Sequence, residues 1–188
     1  MMRDQRYQSI RPLFLKNKIQ TFRDIFNVVP RSVVASDLGK ENDRFMELTG
    51  NLGEFTIQEL ALIGNFCSLT LSEMFTLIGK EYPVPGIIAD DRDDYRYEIV
   101  RSNYDEGNIQ LFGDIFNYIP VSKVAVTIHK NRSRLAKSIK TQIKNLTLAP
   151  LVTIGTLCHL TVSETLQLIE TQYQQQKLTQ KKTLKKSS

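Results

Sequence analysis

The chain has no tryptophan and only two cysteines in 188 residues. Its core must therefore be built from Leu, Ile, Val and nine Phe. Cys67 and Cys158 both sit in apolar contexts, which suits small core residues. Two thiols without neighbouring ligands make no zinc site, and a disulfide is not expected in a reducing compartment. No run approaches the roughly 18 apolar residues of a membrane helix. The segment from Met1 to Gln8 is polar and charged, unlike a signal peptide. A cytoplasmic protein with no membrane partner is expected.

Sustained period-2 alternation is also missing, while apolar spacing is helical throughout. Glycines are scattered, and neither a phosphate-cradling loop nor a nucleophile elbow appears. The densest run of carboxylates, Asp90-Asp91-x-Asp93-Asp94, lies beside Pro83, Pro85 and Gly86, where nothing would position them for acid–base work. His159 has no partner at metal-ligand spacing. A lone His129 near a turn reads as a polar substitute before a pH-sensitive contact. These absences argue for a non-enzymatic protein with no cofactor, metal or small-molecule substrate.

What is present is a duplication. Ile19-Gln20-x-Phe22-x-Asp24-Ile25-Phe26-Asn27 recurs 90 residues later as Ile109-Gln110-x-Phe112-x-Asp114-Ile115-Phe116-Asn117. Arg6-Tyr7, Arg11, Pro30, Ser32, Val34, Ala35, Lys40 and Arg44 recur at the same shift. From Ile63-Gly64 onward the shift is 91, and Cys67, Leu69-Thr70-x-Ser72-Glu73 and Tyr82 recur with it. Such self-similarity marks two copies of one structural module. One extra residue must enter between about 46 and 54, a region expected to contain a loop. The expected organisation is a first unit at 1–82, an acidic linker at 83–95, a second unit at 96–173 and a basic tail at 174–188.

Within the first unit, Ile19, Phe22, Ile25 and Phe26 predict a helix face ended by Pro30. Val33, Val34 and Leu38 predict a short helix closed by Gly39. Phe45 and Leu48 point inward from a third helix, closed near Gly50-Asn51. Thr56-x-x-Glu59 and Thr70-x-x-Glu73 are capping boxes that open a fourth and a fifth, and Thr161-x-x-Glu164 repeats the second of these signals. Ile57, Leu60 and Ile63, then Met74, Leu77 and Ile78, supply their core faces. The stretches Tyr7 to Phe14 and Tyr97 to Tyr104 read as a further helix or as an arm. The fold class is all-α.

Ala35 followed four residues later by Gly39 has the spacing of a helix-turn-helix. A small residue lets the second helix cross closely, and glycine permits a left-handed turn. The second copy has Ala125, but His129 in place of glycine. On these residues and the order of five helices, the chain resembles a tandem of Cro/lambda-repressor-type helix-turn-helix domains over about 17–79 and 107–170. In that family the second helix of the pair enters the major groove of DNA.

The resemblance implies groove-facing residues Asn42, Asp43 and Glu47, with Glu41 at the helix start. In the second copy they are Asn131, Arg132, Ser133 and Lys137, with Lys140 further along. It implies phosphate contacts at Arg31, Ser32, Ser122 and Lys123. Arg44 and Arg134 recur and have two readings, phosphate binding or a salt link between helices. The acidic Glu41, Asp43 and Glu47 would be repelled by phosphates, so the second unit should dominate binding.

Formal net charge is +5, and the tail with Lys177, Lys181, Lys182, Lys185 and Lys186 carries all of that surplus. It is either a non-specific phosphate clamp or a disordered solubilising end. The implied partner is double-stranded DNA, with a homodimer possible, in a transcriptional regulator. The alternative is a protein-interaction module built from decayed copies of the same domain.

Overall fold

The computed structural model describes residues 4–83 and 94–186, with side chains up to residue 182. All regular structure among these residues is helical. The chain divides into two compact units, Met1–Pro83 with Thr147–Ala149, and Val84–Leu146 with Pro150–Ser188.

The first unit contains α1 (Tyr7–Leu15), a 3-10 turn at Phe22–Asn27, α2 (Arg31–Asp37), α3 (Asn42–Gly50), a second 3-10 turn at Leu52–Glu54, α4 (Ile57–Phe66) and α5 (Leu71–Gly79). The remaining helices repeat this order as α6 (Tyr95–Asp105), α7 (Val121–Thr127), α8 (Arg132–Thr141), α9 (Leu148–Leu157) and α10 (Val162–Lys186), with 3-10 turns at Phe112–Asn117 and Ile143–Asn145. The two stretches that read as helix or arm are helices, α1 and α6.

Helix starts follow the sequence signals. Thr56 and Glu59, and likewise Thr70 and Glu73, exchange side-chain and backbone hydrogen bonds as reciprocal caps. Thr161 and Glu164 repeat the arrangement. Helices α1, α2, α4, α6, α7 and α9 share one ending. The residue after the C-cap turns left-handed at Asn17, Gly39, Ser68, Gly107, His129 and His159, with φ between 51° and 78°. The next N–H then reaches back five residues, as from Lys40 to Ala35 and from Lys130 to Ala125, and satisfies a terminal carbonyl.

The first core is aromatic. Phe22, Phe45 and Phe55 are fully buried, with ring centroids 5.5 Å (Phe22–Phe55) and 5.9 Å (Phe45–Phe55) apart in edge-on packing. Leu60, Ile63, Met74 and Leu77 close it. In the second unit Leu135 and Leu146 stand at the positions of Phe45 and Phe55, so aliphatic packing replaces most of the ring contacts.

Four expectations are corrected. The segment around Phe22 is a 3-10 turn rather than an α-helix. The Asp24 carboxylate accepts from the Gln20 and Thr21 N–H groups, both at 2.8 Å, and Pro30 follows closely. That leaves room for a tight turn whose i and i+3 residues, Phe22 and Ile25, are both buried.

The expected break between 46 and 54 is present at Asn51 and the 3-10 turn that follows, but the extra residue itself is absorbed by the helix before it. Helix α3 has 9 residues and α8 has 10. Buried Leu48 lies three residues after Phe45, whereas buried Ile139 lies four after Leu135. Both spacings fall on one helix face, so the core tolerates either.

The linker is shorter than 83–95, because Asp94 caps α6 and Tyr95 is its first residue. Residues 84–93 lie outside the described residues. Finally, the basic segment, read either as a phosphate clamp or as a disordered end, continues α10 to Lys186, which removes the second reading for residues 174–186. No single described helix is both long and apolar enough to cross a membrane.

Candidate functional site

Helices α2 and α3, and likewise α7 and α8, are short helices joined by a tight turn. Ala35 and Ala125 are buried at the crossings, and Gly39 and His129 make the left-handed step four residues later. The α4–α5 pair uses the same turn, with Gly64 at the crossing and Ser68 left-handed. Exposure separates the two pairs. Helix α5 buries Leu71, Met74, Phe75, Leu77 and Ile78 and is spent on the core. Helix α8 buries only Leu135 and Ile139, and α3 buries only Phe45, Leu48 and Thr49. Of these pairs, only α3 and α8 present a free face to a partner.

On α8, Arg132, Ser133, Arg134, Lys137 and Lys140 are all exposed. Ser133, Lys137 and Lys140 are spaced three and four apart on the side opposite Leu135 and Ile139. Asn131 is also exposed, but it is the N-cap, and its side chain accepts the Arg134 N–H at 3.0 Å. That oxygen is committed to starting the helix.

Helix α3 offers the opposite surface. Glu41, Asp43 and Glu47 are exposed, and Arg44 is paired with Glu47 at 2.7 Å along its own helix. Arg44 thus bridges no helices. At the matching positions of α8, Asn131, Ser133 and Lys137 replace the three carboxylates, and Arg134 has a lysine three residues on instead of a glutamate. Like charges at that spacing repel, and a bound anion would relieve them. A second pair is missing in the same way. Lys40 meets Glu59 at 2.6 Å in the first unit, and Pro150 stands where a partner for Lys130 would be.

The contrast extends along the chain. Residues 115–163 contain seven Lys or Arg and no Asp or Glu, whereas the matching 25–72 contain three and six. This acid-free stretch is a sequence signal that charge summed over longer segments conceals, because carboxylates at Asp105, Glu106, Asp114, Glu164 and Glu170 flank it. It adds exposed Lys130 and half-buried Lys144 to the candidate residues.

The expected phosphate contacts are divided. Lys123 is held by Asp94, the α6 cap, and lies 5.7 Å over the Tyr97 ring. Asp94 also binds Arg96 at 2.7 Å, so Lys123 is part of a compensated cluster. Ser122, the second residue of α7, is half-buried. In the first unit a cleft of about 500 Å3 brings together Arg31, Ser32 and Asn42 with Arg23 and Met46. The Arg31 guanidinium lies 5.4 Å over the Phe26 ring, with Nη1 3.7 Å from Met46 Sδ. Its opposite number in the second unit is Val121.

Burial pushes both Cys67 and Cys158 thiols up to about 12, which leaves them protonated core groups. Among the described residues no three metal-ligating side chains come together.

No known protein family, curated protein or solved structure matches this chain.

Proposed function

We propose that this protein binds double-stranded DNA as a transcriptional regulator, reading the major groove mainly through α8. One observation carries the reading. The second helix of a tight helix–turn–helix pair in the second unit is exposed, carries Arg132, Arg134, Lys137 and Lys140, and lies in a stretch without a single carboxylate. Arginine and lysine suit both phosphate oxygens and guanine edges, and Ser133 can donate to either. The resemblance to Cro/lambda-repressor-type domains gives the docking mode, with phosphate contacts supplying most of the affinity.

A second reading rests on α3. Its exposed Glu41, Asp43 and Glu47 oppose DNA, and suit a protein partner with a basic surface. In that reading the duplicated domains form an interaction module.

A salt titration of binding to fragments selected from random DNA tests the first reading. Log affinity should fall linearly with log salt, with a slope near −0.9 for each phosphate neutralised. Selected fragments should bind more tightly than random ones. Absence of salt-sensitive binding, or equal affinity for every sequence, would overturn it in favour of the second.

A further inference from the structure

We propose that Gln172 and Gln176 of α10 are positioning residues that set the end of α8, and so tie its lysines to the basic extension of α10. The proposal deepens the DNA-binding reading and depends on it for its functional consequence.

In a continuing α-helix the Ile143 N–H would bond to the Ile139 carbonyl. Here one side-chain amide occupies both groups. Gln176 accepts the Ile143 N–H at 2.9 Å and donates to the Ile139 carbonyl at 2.8 Å. The amide stands in for the next helical hydrogen bond, and the chain leaves α8 for the 3-10 turn at Ile143–Asn145. Gln172, one turn earlier, donates to the same carbonyl at 2.8 Å and accepts the Gly113 N–H at 2.7 Å. Two side chains four apart on one helix face thus join α10 to the lead turn and to the reading helix.

The site is shaped for this. Gln172 is buried, and a β-carbon at position 113 would come within 3.0 Å of its Oε1. The first unit has only part of the device. Glu81 accepts the Arg23 N–H at 3.1 Å, but α5 ends at Gly79 and the residue matching Gln176 is Pro85, outside the described residues. The end of α3 is instead followed by Asn51, whose own side chain accepts the Gly53 N–H at 3.2 Å.

Two features of α10 follow from this arrangement. Its length past Tyr173 has a purpose, because Gln176 lies beyond the point where α5 stops. Lys177, Lys181 and Lys182 then emerge exposed directly after the clamp. Phosphate bound by them would act on the helix that holds Ile139, next to Lys140.

Two single variants of the full chain test the clamp, read by amide exchange on the free protein and by DNA affinity. Gln176→Met, which keeps the length and removes both hydrogen bonds, should speed exchange at Ile143 about tenfold. Affinity for selected DNA should fall by a similar factor. The salt slope should stay unchanged, because every cation remains. Gln176→Glu differs by one atom, keeps the acceptor and loses the donor. It should preserve Ile143 protection while still lowering affinity.

A purely stabilising role would instead raise exchange evenly across residues 95–186 and leave the affinity of the folded protein intact. That pattern, or wild-type exchange at Ile143 in Gln176→Met, overturns the clamp. Exchange is read without DNA, so it decides the clamp independently. Failure of the unaltered chain to bind DNA overturns only the functional reading.

Discussion

Gly39 and His129 occupy the same left-handed turn position in the two units, at φ 66° and 51°. Glycine adopts this conformation without steric cost, whereas a residue with a β-carbon is strained there by roughly 1–2 kcal/mol. No atom lies within 4 Å of a β-carbon built on Gly39, so backbone strain alone governs that site. His129→Gly should therefore stabilise the second unit by about 1 kcal/mol, and Gly39→Ala should destabilise the first by a similar amount. Urea denaturation of each variant checks both signs. A drop in stability in His129→Gly would mean that the imidazole makes an interaction outweighing its backbone strain.

Removal of two α8 cations provides a direct test of the surface. Arg132→Ala with Lys137→Ala should reduce the magnitude of the salt slope by about two if both side chains meet phosphates. If they meet bases, discrimination between selected and random DNA should fall instead, by about 1–3 kcal/mol for each base that is no longer read. Arg44→Ala should change neither quantity, because Arg44 is paired within its own helix. Fluorescence anisotropy across a range of salt concentrations reads all three.

Acid should weaken both units through matched ion pairs. Arg11 meets Glu73 at 2.7 Å, and Arg101 meets Glu164 at 2.9 Å. Burial pushes both carboxyls up, but this is outweighed by the guanidinium and by the capping threonine, so both end below the ordinary glutamate value of 4.5. A lowered folded-state value means stability that is present above about pH 4.5 and lost as pH falls through the folded value. Denaturation midpoints should be flat from about pH 7 to 5 and drop below that. Glu73→Gln with Glu164→Gln should lower stability at neutral pH and flatten the drop.

Close helix crossings make a further pair of sites sensitive. A β-carbon on Gly64 would lie 2.9 Å from the Leu69 carbonyl oxygen, and one on Gly155 would run into the Thr165 side chain. Gly64→Ala should cost about 1–3 kcal/mol, because backbone has to move. Gly155→Ala should cost at least as much, because the Thr165 Cβ itself would lie 2.8 Å away and rotation of that side chain does not move it. Thermal melts of the two variants check both costs.

Much of the fold is legible in the chain's local chemistry. Capping boxes at Thr56, Thr70 and Thr161 mark helix starts because both partners lie within one turn. The repeat identifies equivalent positions, and Ala35 with Gly39 locates the tight turn. The lead segment reads as an α-helix because apolar residues at i, i+3 and i+4 fit both an α-helix and a 3-10 turn. Asp24, folding back on Gln20 and Thr21, selects the latter. The candidate site is only half legible. Exposure of Arg132, Ser133, Lys137 and Lys140 follows from the helical period. The engagement of Lys123 by Asp94 depends on a residue that reads as linker, and Asn131, expected as a groove contact, is instead the N-cap of α8.

Sequence alone was thus enough to establish helical class, duplication, caps and the sign of charge on each copy. These depend on neighbours within one or two turns of chain, or on comparing one copy with the other. The fate of individual side chains required long-range proximity. Gln172 and Gln176 are 33 and 37 residues from Ile139 in sequence, yet both reach its carbonyl. Only packing brings such partners together, because a hydrogen bond forms over about 3 Å whatever the separation along the chain.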